Sequence, residues 1–476
     1  MDPDPTRLSI CETARLLAGG QISSVELVEA YLAVIAERNP ELNAIVTLCE
    51  EEAREAAASA DAARSRRGVS GLLEGIPFTL KDSLETKGIR TTCGSERLRD
   101  HIPERDSTVA ARLQGAGGIL LGKTNLPEGC RGFQTENALF GRTCHPEDAG
   151  RTPGGSTGGG AAAVAAGMSP LEIGSDLGGS VRIPAHFCGL YGFTATNHRI
   201  SRMGHIPEWP GRLRGLRTMG VLGPLTRSLE DLDLVYRVLA GPDPDWPLMP
   251  PVPLGDRVQL KGQKLKLGWA DRFPNLPIEE DYAEVIRVFL KDLEGAGVQL
   301  SEGLPAGFSV EAAWEAFGGI RGAETTASLS REETAVLLEK LGFREDSEIP
   351  MDRGHYRGAL GDLRDYTAFL STRDELTRIL EAHLDVVDAL LLPVTSMAAF
   401  PHRPGEEDFE ICGQTVPYWL AGTGFTNPFN LTGHPVVVLP IGRNGDGLPL
   451  GIQIVGKRWE EAKLLAVAEA ICCVAG

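Results

Sequence analysis

Apolar residues recur along this chain in two alternating rhythms. Leu27, Tyr31, Val34 and Ile35 are spaced to share one face of a helix. Ser23 and Glu26 stand just ahead with capping-box spacing: the serine oxygen accepts a first-turn N–H and the carboxylate reaches back. Pro40 is expected to follow the end of that helix. An Ala- and Glu-rich stretch predicts a second helix over residues 50–66, with a shallow apolar face.

Farther on, short apolar runs bounded by glycine or proline read as buried strands. They are Ile76–Leu80, Ile119–Leu121, Leu171–Ile173, Leu265–Gly268, Ala389–Leu392, Val436–Leu439 and Ile452–Val455. Thr108–Gln114 and Gly160–Gly167 read as helices between them. The second of these is rich in alanine, which lets it pack close to a sheet. Such alternation predicts an α/β fold with helices on both faces of a central sheet.

Residues 1–70 are expected to form an N-terminal helical segment packing on a core of residues 71–240. Pro242, Pro244, Pro247, Pro250, Pro251 and Pro253 mark residues 241–262 as a connection. Residues 263–476 are expected to complete the same α/β domain, with a charge-rich helical cap over about residues 275–385.

A chain of 476 residues can bury a large core, and 42% apolar with 24% charged residues is ordinary for a soluble globular protein. The net charge of −18 argues against a nucleic-acid partner and against an anionic membrane surface. No apolar run approaches the ~18 residues of a membrane span, and the first residues lack the pattern of a secretory signal. Nine cysteines occur without CxxC pairs, so neither a disulfide framework nor a metal site is expected, and a reducing cytoplasm is. No cofactor is expected.

Three motif matches compete. Gly117–Thr124 fits the phosphate-loop pattern, but a helix is predicted before it and Ile119–Leu121 reads as a strand, the reverse of the order such a loop requires. Gly154-Gly155-Ser156-Thr157-Gly158 fits the nucleophile elbow GxSxG. That elbow needs a strand just before the serine, and Pro146–Pro153 cannot be a core strand. The third match joins two glycine-rich serine turns, Pro153–Gly160 around Ser156 and Gly174–Pro184 around Ser180, with Lys81 in Gly75–Asp82. Ser180 lies 24 residues beyond Ser156 (180 − 156).

These segments resemble the amidase signature (AS) family. So do Gly122–Leu126, Asn430–Pro435 and Gly451–Gly456, so the resemblance runs from the first helix to the end of the chain. It implies the amidase signature fold, a central mixed β-sheet covered by helices on both faces. It also implies a serine hydrolase with a Ser-cisSer-Lys triad: Ser180 as nucleophile, Ser156 as bridging serine after a cis peptide, and Lys81 as base. Leu177, Gly178, Gly179 and Ser180 would form the oxyanion hole. Thr157, where the family usually has a second serine, would support the turn. Asp176 and Arg182 flank the nucleophile and are expected to be an ion pair that orders the loop. Asp82 is expected to be a structural acceptor. His186 and His434 have no acid in a telling position, so a Ser-His-Asp reading finds no support.

The chemistry requires each residue type. A serine hydroxyl attacks only when its proton is taken, and lysine takes it only when neutral, hence buried away from anions. By the resemblance the substrate pocket would involve Glu128, Gly129, Phe133, Glu136, Trp209, Trp314 and Phe317. No arginine or lysine demands an acidic substrate, so a neutral small-molecule amide, such as an aryl amide, is expected. Carbamate (urethane) or ester hydrolysis is an alternative. Another is the glutamine-hydrolysing subunit of a tRNA-dependent amidotransferase, weakened by Thr423 standing where that subunit has an amine-binding aspartate. A non-catalytic binding homologue is a third. The assembly is expected to be a monomer or homodimer.

Overall fold

The apolar runs meet in one sheet. The computed structural model describes residues 4–68, 71–206, 216–260 and 263–474. Among them an 11-stranded sheet is built from β1 (Ile45–Leu48), β2 (Pro77–Lys81), β3 (Ile119–Thr124), β4 (Leu171–Asp176), β5 (Tyr191–Thr194) and β6 (Val221–Thr226). Five more strands complete it: β7 (Lys266–Trp269), β8 (Gln299–Glu302), β9 (Ala389–Pro393), β10 (Val436–Arg443) and β11 (Pro449–Val455). The spatial order is β1-β3-β2-β4-β6-β5-β10-β11-β9-β7-β8. The sheet is mixed: β3, β2 and β4 are mutually parallel, as are β9, β7 and β8, and antiparallel pairs lie between the two blocks. One apolar cluster runs through both halves of the chain, from Phe78 and Ile173 to Val437 and Ile454.

Helices flank the sheet: α1 (Ile10–Ala18), α2 (Ser24–Leu42), α3 (Glu50–Arg67), α4 (Thr108–Gly115), α5 (Gly158–Ala165), α6 (Arg182–Cys188) and α7 (Leu229–Leu239). The capping box at Ser23 and Glu26 is present. Pro40 is corrected: it lies inside α2, which continues to Leu42. The Asn39 side chain braces the exit by accepting from the N–H groups of Ala44 (2.9 Å) and Ile45 (2.8 Å). The Ala-rich α5 lies against the sheet as expected. A Cβ on Gly160 would come 2.2 Å from Glu172 Cγ on β4.

β1, β5, β6 and β8 escape the sequence pattern. Gly192, Gly223 and Pro224 interrupt β5 and β6, and β8 is a mostly polar strand at the edge of the sheet.

The charge-rich region forms α8 (Glu280–Gly295), α9 (Val310–Thr326), α10 (Arg331–Lys340), α11 (Pro350–Leu360) and α12 (Leu363–Leu384). The last helices are α13 (Tyr418–Thr423), α14 (Asn427–Thr432) and α15 (Glu461–Cys472). α9 and α11 approach backbone to backbone. A Cβ on Gly322 would meet the His355 carbonyl oxygen at 2.2 Å, and one on Gly358 the Gly319 oxygen at 1.9 Å. Glu315 on α9 pairs with Arg353 (2.9 Å) and Arg357 (2.6 Å) on α11. No helix among the described residues is long and apolar enough to cross a membrane.

Candidate active site

Parallel neighbours end on the same edge of a sheet, so β2 and β4 deliver Lys81 and Ser175-Asp176 side by side. Lys81 is fully buried. Its Nζ lies 2.6 Å from Ser156 Oγ, 3.0 Å from Ser175 Oγ and 3.2 Å from Thr157 Oγ1. Burial lowers its pKa from the usual lysine value, against the opposing pull of the Cys93–Cys130 pair, Glu172 and Asp176. Both carboxylates are blunted. Burial holds Glu172 up to about 7, and Asp176 faces a guanidinium. The Gly155–Ser156 peptide is cis.

Ser180 follows Gly179, whose φ of +115° suits only glycine. Asp176 orders the turn by accepting from the N–H groups of Gly179 (2.8 Å) and Val181 (3.0 Å). It also pairs with Arg182 at 2.8 Å with both side chains buried, so the expected ion pair is present. Burial opposes ionisation of Asp176, but Arg182 and the N–H groups prevail and hold its pKa far below the carboxylate range. Arg182 further donates to the carbonyl of Thr426 (3.1 Å) and to Asn430 Oδ1. The Gly179 N–H is thus committed to the loop, which corrects its expected place among the oxyanion donors. The N–H groups of Leu177, Gly178 and Ser180 have no acceptor among the described residues.

Ser180, Ser156 and Ser175 open on a cavity of about 450 Å³, reaching an apolar end at Leu222, Leu337 and Phe343. A smaller lobe of about 60 Å³ meets it at Ser180. Gly129 lines the large lobe, and Phe133 and Phe317 line the small one. Three expected pocket residues are corrected. Glu128 accepts from Ser95 Oγ at 2.9 Å and lines neither lobe. Trp314 is core, its indole N–H donating to the Gly424 carbonyl at 2.9 Å. Glu136 is exposed and pairs with Arg142 at 3.1 Å. Trp209 lies outside the described residues. Four basic residues that the sequence did not single out, Arg131, Arg202, Arg321 and Lys340, line the large lobe.

The Amidase family model matches residues 26–465 of this chain. The chain belongs to the amidase signature family. One subunit of the glutamyl-tRNA(Gln) amidotransferase from Alkaliphilus metalliredigens (strain QYMF) is 33% identical over 470 residues, covering 94% of this chain and 92% of that protein. A bacterial aryl acylamidase of the amidase signature family superposes with a TM-score of 0.82 at 27% identity, covering 98% of this chain and 96% of that one. A 6-aminohexanoate cyclic dimer hydrolase complexed with substrate gives 0.80 at 27%, covering 99% and 98%. The protein is therefore an enzyme of the amidase class.

In this amidase signature chain the other candidates take structural places. Lys123, from the phosphate-loop match, is buried within β3 and donates to the Leu84 carbonyl and to Thr86 and Thr91 hydroxyls. Asp82 accepts from the Thr92 N–H (3.0 Å) and hydroxyl (2.5 Å). His186 lies between the Met397 carbonyl and the Gly451 N–H, and burial lowers its pKa to about 4. His434 is corrected: it does have an acid partner, Glu381 at 3.0 Å. Its other ring nitrogen meets Thr432 Oγ1 at 2.9 Å, so neither face reaches a candidate nucleophile. Two site residues escape the sequence pattern. Ser175 sits in the Gly174–Pro184 motif, and its place at the end of a buried strand beside Asp176 is the signal that could have found it. Cys130, 3.8 Å from Cys93 between sulfurs, lines both lobes, and no local motif marks it.

Proposed function

We propose that this enzyme hydrolyses the C–N bond of a small-molecule amide through a Ser180–Ser156–Lys81 relay and an acyl-enzyme. The observation that carries the reading is the buried Lys81 Nζ, 2.6 Å from Ser156 Oγ, behind the cavity wall that holds Ser180. A neutral amine has two N–H donors and one lone pair. Ser175 and Thr157 oxygens suit the donors, which leaves the lone pair for the Ser156 hydroxyl proton. Ser156 in turn accepts the Ser180 proton as Ser180 Oγ attacks the carbonyl carbon. Unbonded N–H groups of Leu177, Gly178 and Ser180 suit the oxyanion, where each good donor is worth roughly 3–4 kcal/mol. The proton returns through Ser156 to the leaving nitrogen as the C–N bond breaks. Water then cleaves the Ser180 ester, and acid and enzyme are released. Carbamates and esters use the same acyl transfer.

The test is a fluorophosphonate probe with a hydrolysis panel of amides, anilides, carbamates and esters. Labelling is expected on Ser180, with turnover abolished in Ser180→Ala. Turnover that survives in that variant overturns the reading. A second reading, the glutamine-hydrolysing part of an amidotransferase, is favoured by 33% identity to an amidotransferase subunit over 94% of the chain. It predicts glutaminase activity that rises when the partner subunits are added.

A further inference from the structure

Arg321 projects from α9 to the junction of the two lobes at Ser180. Its guanidinium has no hydrogen-bond or ion-pair partner among the described residues; its close contact is the face of Trp419, 5.8 Å from the ring centre. The neighbouring acids do not serve it. Glu406 is held by Arg131 at 3.3 Å and by the Trp419 indole N–H at 2.7 Å. Asp352 on α11 makes no ion pair among the described residues. Burial raises its carboxyl to about 6, with Arg321 pulling the other way. Burial brings Arg321 itself down to about 10, so it stays cationic at neutral pH.

Arg321 is part-buried and lines the cavity without an acceptor of its own, so a ligand acceptor there gains a charge-assisted hydrogen bond without breaking an existing pair. Its planar fork matches a carboxylate through two parallel hydrogen bonds. The two acids whose charges act on Arg321, Asp352 and Glu406, line neither lobe, whereas Arg202 and Lys340 line the large one. Arg131 lines both lobes beside Arg321. Asp176 is the acid among the described residues lining the large lobe, and Arg182 neutralises it. No aspartate or glutamate among the described residues lines the small lobe, where Thr423 donates its hydroxyl to the Trp419 carbonyl at 2.6 Å. An ammonium group therefore finds no partner there.

We propose that the cavity selects amides that carry a carboxylate and no neighbouring ammonium, held by Arg321 with Arg131 beside it, as in the monoamide of a dicarboxylic acid. This rests on the amidase reading of Ser180. The test compares kcat/KM for such a monoamide, for the neutral alkyl amide of equal length and for glutamine. The monoamide is expected to lead the neutral amide by roughly 10- to 100-fold, the range of a charge-assisted hydrogen bond, and to lead glutamine as well. Arg321→Met should bring the monoamide-to-neutral ratio close to one, and Arg321→Lys should keep part of it. Independently, the matching dicarboxylate should protect Ser180 from the fluorophosphonate probe in the native enzyme and not in Arg321→Met. Probe labelling of each variant reports that its site is folded. A native ratio at or below one, an unchanged ratio in Arg321→Met, or a preference for glutamine overturns the proposal while labelled Ser180 leaves the amidase reading standing. Absence of both labelling and hydrolysis overturns the amidase reading itself, and this proposal with it.

Discussion

Two buried lysines lie on adjacent parallel strands, Lys81 and Lys123, and burial lowers the pKa of both. Only Lys81 is a candidate base, because its neighbours differ. Lys123 faces a carbonyl and two threonine hydroxyls away from the cavity, whereas Lys81 faces the hydroxyls of Ser156 and Ser175, which open on it. A depressed lysine pKa makes the neutral form more abundant as pH rises. Activity should therefore climb through the folded pKa of Lys81, which lies below 10.5. The stability sign agrees: with the folded pKa depressed, the contribution is complete above 10.5 and is lost as pH falls through the folded value. Lys81→Arg keeps a cation that cannot deprotonate, so kcat/KM should fall by roughly 10²–10⁴ and lose that alkaline rise. A pH–rate profile checks this, and a Lys81→Arg enzyme with a native profile rules out the base assignment.

Among the elements, α9 and α11 decide what faces the nucleophile. Their glycines let the backbones touch, and the crossing carries Phe317, Arg321, Met351 and His355 to the cavity. Gly322→Ala would set a Cβ 2.2 Å from the His355 carbonyl oxygen, and backbone cannot yield as a side chain can. We expect it to cost about 1–3 kcal/mol. Gly295→Ala at the end of α8 meets nothing within 4 Å and should be neutral or stabilising by up to about 1 kcal/mol. Denaturant unfolding of the pair decides it, and equal stabilities would refute the close crossing. This crossing also marks where the sequence stops being legible. The glycine turns at Ser156 and Ser180 are local, so their spacing and neighbours can be read directly. Seven strands are legible as short apolar runs, but β6 hides behind Gly223 and Pro224. Arg321 looks like any charged residue on a charge-rich helix, because its convergence on Ser180 depends on α9 folding back from another part of the chain. Glu381 reaches His434 across 53 residues (434 − 381) for the same reason.

At the scale of the whole molecule, a chain of net charge −18 surrounds its candidate nucleophile with basic side chains, so the cavity's sign is a local property that composition conceals. The site also needs both halves of the chain. Lys81, Ser156 and Ser180 all precede the proline-rich connection, yet the strand that completes their side of the sheet follows it: β5 pairs with β10, Phe193 opposite Val437. The buried Arg182 takes hydrogen-bond partners from Thr426, Asn430 and Gln453, all beyond the connection. Severed from these, residues 1–260 would expose an apolar sheet edge and leave Arg182 with Asp176 alone. Open edges and unsatisfied buried charges are both unfavourable. We therefore expect residues 1–260 expressed alone to unfold without a cooperative transition and to leave Ser180 unlabelled by the fluorophosphonate probe. Co-expression with residues 263–476 should restore labelling, because the missing strands and acceptors are then supplied in trans. A cooperatively folding, probe-reactive 1–260 fragment would show instead that the chain divides into two independent domains at the connection.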